Sequence, residues 1–167
     1  MSPARRAAGL IPDDNPTARR WFAIDHYVTF GETSAAGFVY YLRLLEWQGH
    51  CRERFGYAYC PDYMNRLRGE LVMPTCTASC EYLTEIYPND LISIRLSIPW
   101  LRLHLMKGEF VYYRISRTGA EELVARGEQQ WANMRPDGET MTPEPWPEEV
   151  LKTCRLMNTD LSRALIT

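Results

Sequence analysis

From Trp21 to Phe30 the chain reads WFAIDHYVTF, with Phe22, Ile24, His26, Val28 and Phe30 on one parity. That two-residue period predicts a half-buried strand. The period then changes. From about Gly37 to Phe55, Val39, Leu42, Leu45, Trp47 and Cys51 spread around a helical wheel, which predicts a helix whose first half is apolar on every side and must be enclosed. A linker carrying Pro61 follows. Four largely alternating stretches come next: LVMPTCTASCEYLTEIY, LISIRLSIPWLRLHLM, GEFVYYRISR and ELVARGEQQWANMR. Pro88-Asn89-Asp90, Lys107-Gly108 and Thr118-Gly119 separate them, so they predict successive antiparallel strands. Beyond Asp137-Gly138, the proline-rich TPEPWPEE leads to Val150, Leu151, Cys154 and Met157, the stripe of a terminal amphipathic helix.

One strand, one long enclosed helix and four further strands predict an α+β domain in which an antiparallel β-sheet wraps around a long central helix. This is the shape of a hot-dog fold, though the pattern also permits other α+β arrangements. A sheet this small leaves an edge and part of a face uncovered, so the domain is expected to be dimer-forming. The expected layout is a flexible N-terminal extension over residues 1–20, the domain over 21–146, and a C-terminal helix and tail over 147–167.

Composition narrows the partners. The 167 residues carry a formal charge of -2, which offers no broad basic surface for nucleic acid or an anionic membrane. A hydrophobic fraction of 46% with 12% aromatics belongs to a chain with a generous apolar interior. The five cysteines, Cys51, Cys60, Cys76, Cys80 and Cys154, form no CxxC pair, which argues against a zinc site or a disulfide framework. They read as reduced, mostly packed thiols. No apolar run has the roughly 18 to 20 residues needed to cross a bilayer, and the first residues lack the apolar centre of a secretory signal. The expected location is the cytoplasm.

Candidate chemistry concentrates at the two ends of the predicted helix. Before it stands Glu32-Thr33-Ser34-Ala35-Ala36-Gly37. Small residues let a ligand approach the backbone, and free N–H groups at a helix start can hold an oxyanion, as acyl transfer requires. Equally, Thr33 or Ser34 can cap the helix and Gly37 relieve a tight turn. Arg52 lies 18 residues after Ser34, about five helical turns away. The two therefore meet only across an interface between antiparallel copies of the helix, where Arg52 can hold a carbonyl or a phosphate; alone, Arg52 also suits a structural salt bridge. Glu46 and His50 share a helix face at acid and base spacing, or form a simple i,i+4 pair. His26 and His104 read as packed or edge residues. There is no Gly-rich phosphate loop, no Gly-x-Ser-x-Gly elbow and no metal-ligand cluster in the sequence.

The run Phe30-Gly31-Glu32-Thr33-Ser34-Ala35-Ala36-Gly37-Phe38-Val39-Tyr40-Tyr41, continued by EWQGHCRE at 46–53, resembles the hot-dog thioesterases of enediyne polyketide biosynthesis. These are a branch of the 4-hydroxybenzoyl-CoA thioesterase group. ARGEQQWANMR at 125–135 looks like that family's last strand, and the resemblance covers roughly residues 21 to 150. It implies an enzyme that hydrolyses a long polyene (β-keto or β-hydroxy) acyl thioester from the acyl carrier protein domain of an iterative polyketide synthase. A β-keto acid so freed can lose carbon dioxide. The resemblance also implies no metal or organic cofactor, and a homodimer or homotetramer. Family members lack the usual catalytic carboxylate and carry asparagine where this chain has Ser34; a polar position after the glycine is Phe38 here.

By the same resemblance Arg52 is the helix arginine that binds or polarises the thioester; the helix-start amides near Gly37 and Phe38 are expected, from their place in the chain, to stabilise the oxyanion. Glu32 is the nearest carboxylate, either a stand-in base or a structural cap. Water would attack directly, without an acyl-enzyme. Three alternatives stand beside this one: a general acyl-CoA thioesterase, a hot-dog dehydratase using Glu46 and His50, and a non-catalytic binder of polyene or acyl chains.

Overall fold

A computed structural model describes residues 7–164. Its strands are β1 (Gly9–Leu10), β2 (Phe22–Tyr27), β3 (Thr75–Tyr82), β4 (Leu91–Arg102), β5 (Leu105–Ile115), β6 (Glu121–Ala132), β7 (Met134–Asp137), β8 (Thr140–Pro143) and β9 (Asp160–Arg163). The main sheet runs β1-β2-β4-β5-β6-β3 with antiparallel neighbours, and β9 joins β4 in parallel. Strands β7 and β8 form a separate hairpin. The helices are α1 (Leu42–Tyr59), α2 (Pro61–Arg66) and α3 (Glu148–Leu156). An antiparallel sheet with α1 packed against it is the hot-dog fold, the expected one among the α+β arrangements that the pattern permits.

Helix α1 buries Leu44, Trp47, Gln48, Cys51, Phe55 and Gly56, a single face at three- and four-residue spacing. Glu46, His50, Glu53 and Arg54 lie exposed. The helix is therefore one-sided, not apolar all round. It also starts at Leu42 instead of Gly37, because Gly37 has φ +84°, a left-handed conformation that ends any helical path and that glycine adopts without strain. The apolar residues Phe38, Val39, Tyr40 and Tyr41 prolong the hydrophobic run but precede the helix. At the far end it runs on to Tyr59, and Pro61 then opens α2 at a first-turn position, where a missing N–H costs nothing.

Other boundaries move for identifiable reasons. Lys107-Gly108 is no turn. Both residues lie inside β5, and the chain reverses at Leu103, which has φ 28°. Gly108 is there because a Cβ would sit 2.2 Å from the Trp131 ring, a close approach of the kind that glycine permits within a strand. The N-terminal stretch also departs from a loose extension over its described part. Gly9 and Leu10 pair with Ala23 and Phe22, Arg20 N donates to Met157 O, and Asn158 Nδ2 donates to the carbonyls of Pro16 and Ala18. Residues 1–6 of that expected extension, and 165–167 of the expected tail, lie outside the described residues.

Strand β3 forms the other outer edge of the sheet. All its residues are exposed except Cys80, which is half-buried.

Candidate active site

The segment before α1 is held by local hydrogen bonds. Phe30–Glu32 forms a 3-10 turn capped by Thr29 and Glu32. Ser34 N donates to Phe38 O (2.8 Å), Gly37 N to Ser34 O (3.0 Å), Tyr40 N to Glu32 O (2.9 Å) and Val39 N to Ile86 O (2.8 Å). The last bond ties the segment to the chain between β3 and β4. Between these two stretches lies an open cleft of about 470 Å³, lined by Ser34, Phe38, Tyr40, Tyr41, Leu44, Tyr82 and Leu83 among others. Its floor is stabilised where Tyr82 Oη donates to Tyr41 O (2.8 Å) and Tyr112 Oη to Leu44 O (2.8 Å).

The cleft brings together two of the five predicted site residues. Ser34 lies on its rim, where the Oγ donates to Phe38 O (3.2 Å) and accepts from Ala36 N (3.3 Å). No imidazole or carboxylate of the described residues bonds to it, so it is a turn-forming hydroxyl and not an activated nucleophile. Phe38 also lines the cleft, and its N–H has no acceptor among the described residues. Gly37 does not supply a free helix-start amide, since its N–H is spent on Ser34 O and the helix begins later.

Glu32 turns away from chemistry. One carboxylate oxygen accepts from Trp47 Nε1 (2.9 Å) and meets His26 Nε2 (2.8 Å); the other accepts from Thr29 N (2.7 Å) and Thr29 Oγ1 (2.9 Å). Burial pushes its pKa up, but these hydrogen bonds and the nearby His26 hold it below the ordinary value of 4.5. A carboxylate so occupied is a poor base. His26, read from sequence as an isolated packed residue, is a partner in this clamp.

Arg52 lies elsewhere. Ten residues into α1, about 15 Å along the axis from Leu42, it borders a separate apolar cavity of about 40 Å³ with Phe55, Tyr63, Met73, Trp131 and Trp146. Its Nη1 donates to Thr75 Oγ1 (2.9 Å) and Gln129 Oε1 (3.3 Å), and the guanidinium stands 5.3 Å from the centre of the Trp131 ring, within cation–π range. Among the described residues it makes no ion pair at salt-bridge distance, so the salt bridge open to it on sequence grounds is not formed; Glu53 acts on it only through space, and its buried Nε is unpaired. Burial lowers its pKa.

Other candidates separate. Glu46 pairs with Arg43 (2.7 Å), while His50 is exposed and not joined to it, so the acid and base pair of a dehydratase is not assembled. All five thiols are free, and burial pushes Cys60 and Cys80 up to about 11 and Cys154 up to about 12. Burial pushes the Cys51 thiol up as well, so none of these four is an activated thiolate. Among the described residues no cluster of His, Cys, Asp and Glu is arranged to hold a metal ion, and no helix is long and apolar enough to cross a membrane.

Sequence reasoning missed the wall of the cleft from Tyr82 to Ile86 and a buried amide pair, Gln48 and Gln129. The pair left a trace in the sequence, because both glutamines fall on inward-facing positions.

No family model matches the chain. Over 91 residues it is 29% identical to a 1,4-dihydroxy-2-naphthoyl-CoA hydrolase from Prochlorococcus marinus, a match over 50% of this chain and 59% of that protein. The chain thus spans about three-fifths of the length of that curated relative. Among solved structures, a 4-hydroxybenzoyl-CoA thioesterase variant bound to 4-hydroxybenzoyl-CoA shares the fold at 18% identity and TM-score 0.72, over 82% of this chain and 99% of that one. The dynemicin thioesterase, described in crystal structures that reveal induced-fit and allosteric effects upon polyene binding, is 32% identical with TM-score 0.77, over 81% of this chain and 95% of its own. With that identity extending over nearly the whole of a thioesterase of the same fold, the chain belongs to the hot-dog thioesterases.

Proposed function

We propose that this chain hydrolyses the thioester of a long conjugated acyl chain, a polyene held on the acyl carrier protein domain of an iterative polyketide synthase. The observation that carries the reading is Arg52, a half-buried guanidinium whose hydrogen-bond acceptors are one hydroxyl and one amide oxygen. A cation whose hydrogen-bond acceptors are uncharged keeps its charge for a ligand oxygen. The aromatic walls of the cleft support the choice of acyl group, since Phe38, Tyr40, Tyr41 and Tyr82 offer flat faces to a flat chain. So does the likeness to a thioesterase described with polyene.

The active unit is a homodimer joined along β3. Helix α1 runs antiparallel to β3: Arg52 bonds Thr75, Gln48 bonds Ser79, and Tyr41 bonds Tyr82. A twofold axis between Ala78 and Ser79 lays Thr75 of one copy opposite Tyr82 of the other, strands about 4.8 Å apart. Arg52 of one copy then stands beside the cleft of the second. The edge hydrogen bonds that β3 leaves unmade are satisfied in the same step.

Within that shared site, water attacks the carbonyl carbon and the developing oxyanion takes hydrogen bonds from the Phe38 N–H and from Arg52 of the second copy. The carbon–sulfur bond then breaks, the proton lost by water passes through solvent to the sulfur, and the products are the free acid and the thiol. Glu32 holds the cleft segment in place and takes no proton. The occupied state of Glu32 favours one second reading, a protein that binds the polyene without releasing it. Incubation with polyenoyl acyl carrier protein and mass spectrometry of the products decides between them. Free acid or its decarboxylated product supports hydrolysis; bound, unreleased chain overturns it.

A further inference from the structure

Behind Arg52 stands a chain of side-chain amides with one direction. The Trp131 indole and the Arg52 guanidinium can only donate, so the Gln129 atom that faces both, at 2.7 and 3.3 Å, is its oxygen. Gln129 Nε2 must then donate, and it does so to Gln48 Oε1 at 2.9 Å; Gln48 Nε2 donates in turn to Ser79 O at 3.0 Å. Gln48 is fully buried and Gln129 only 5% exposed. The amides align head to tail, and each polarises the next. Their negative end points at Arg52.

The surroundings are shaped to keep this arrangement. A Cβ at position 127 would come within 2.1 Å of Gln48 Nε2 and 2.9 Å of Ser79 O, so only glycine lets Gln48 lie against β6. Trp131, which shares the oxygen of Gln129, is wedged against Gly108. An aspartate or glutamate could hold Arg52 as firmly, but would neutralise it. A neutral oxygen orients the guanidinium and leaves its charge in place.

On the reading of Arg52 given above, we infer that Gln129, braced by Gln48 in the space left by Gly127, is a positioning residue that aims the Arg52 guanidinium at the thioester. Gln129 does not touch substrate. It acts through Arg52, and the anchoring of the amide chain on Ser79 O ties that aim to the strand at the edge of the sheet.

The test is a double-mutant cycle on kcat and KM with polyenoyl acyl carrier protein, with melting temperature recorded for each variant. Gln129→Glu supplies a charged acceptor of the same shape and neutralises Arg52. It should lower kcat about tenfold or more with a smaller change in KM, yet change kcat less than about twofold when Arg52→Ala is already present. Should Gln129→Glu fail to fold, Gln48→Met removes the brace at similar volume. It should lower kcat about threefold, again only when Arg52 is intact. Losses that multiply with that of Arg52→Ala would overturn the inference, since Gln129 would then act independently of the guanidinium. A weakened Arg52→Ala enzyme beside an unchanged Gln129→Glu enzyme would overturn this inference alone. A fully active Arg52→Ala enzyme would overturn both it and the role of Arg52 on which it rests.

Discussion

The two edges of the main sheet are finished in different ways. Beyond β2, the chain supplies β1 from its own N-terminal stretch, and Leu10 there packs against the core. Beyond β6, β3 runs for eight residues with almost every side chain exposed and, among the described residues, no strand outside it. A long bare edge invites another strand, and proteins that remain monomeric block it with charge, proline or a cover. β3 reads TCTASCEY, with one charge near its end and no proline. The contrast teaches where the protein is self-contained and where a second copy is expected. It also separates the residues by task, since Arg52 is tied to one end of the bare strand and the cleft to the other.

The strongest way to break this contrast is to charge the bare edge at its centre. Ala78→Lys sets a lysine beside the proposed axis and should convert the dimer to monomer in sedimentation, taking hydrolysis to background, while the far-ultraviolet circular dichroism stays that of the folded chain. A dimer that persists with full activity would remove β3 as the interface. Arg52→Ala should come next. Losing one donor from a preorganised site costs roughly 3 kcal/mol, about a hundredfold in kcat, and Ser34→Ala should lose less because its hydroxyl serves the turn.

On the closed edge the expected effect changes in kind. Leu10→Ala should cost about 1 to 2 kcal/mol in denaturant unfolding and leave the assembly intact. The smallest effect belongs to Glu32. Its pKa is depressed in the folded chain, so its stabilisation is complete above the ordinary value of 4.5 and is lost as pH falls through the depressed one. Acid unfolding followed for the native chain and for Glu32→Gln should show the difference between them shrinking over that window. A constant difference would mean that the carboxylate contributes nothing through its charge.

The sheet was legible in the sequence because its alternation and two of its turns carry local signals: Asn89 and Gly119 adopt positive φ, as turn residues do, and Gly138 does the same in the separate β7–β8 hairpin. Gly108 misled for the opposite reason, since a glycine that admits an indole ring looks in sequence like one that makes a turn. The helix start misled because Phe38 to Tyr41 continue the apolar run for the sake of the cleft, and hydrophobicity alone cannot tell a wall from a core. The site was legible only in part. Arg52 and Ser34 stand out by type and spacing, whereas the Gln48–Gln129 pair and the Tyr82–Ile86 wall depend on which strands become neighbours. That information is long-range: the two glutamines are 81 positions apart.

The claim that one site is built from two copies can be measured by mixing crippled subunits. Leu83→Trp crowds the cleft while leaving Arg52 intact, and Arg52→Ala removes the guanidinium while leaving the cleft intact; each should be nearly inactive alone. When the two are unfolded and refolded together in equal amounts, half the dimers carry both chains, and each of these has one complete site, so about a quarter of native activity should return. No recovery above the average of the two parents, with mixed dimers present by native mass spectrometry, would contradict the account.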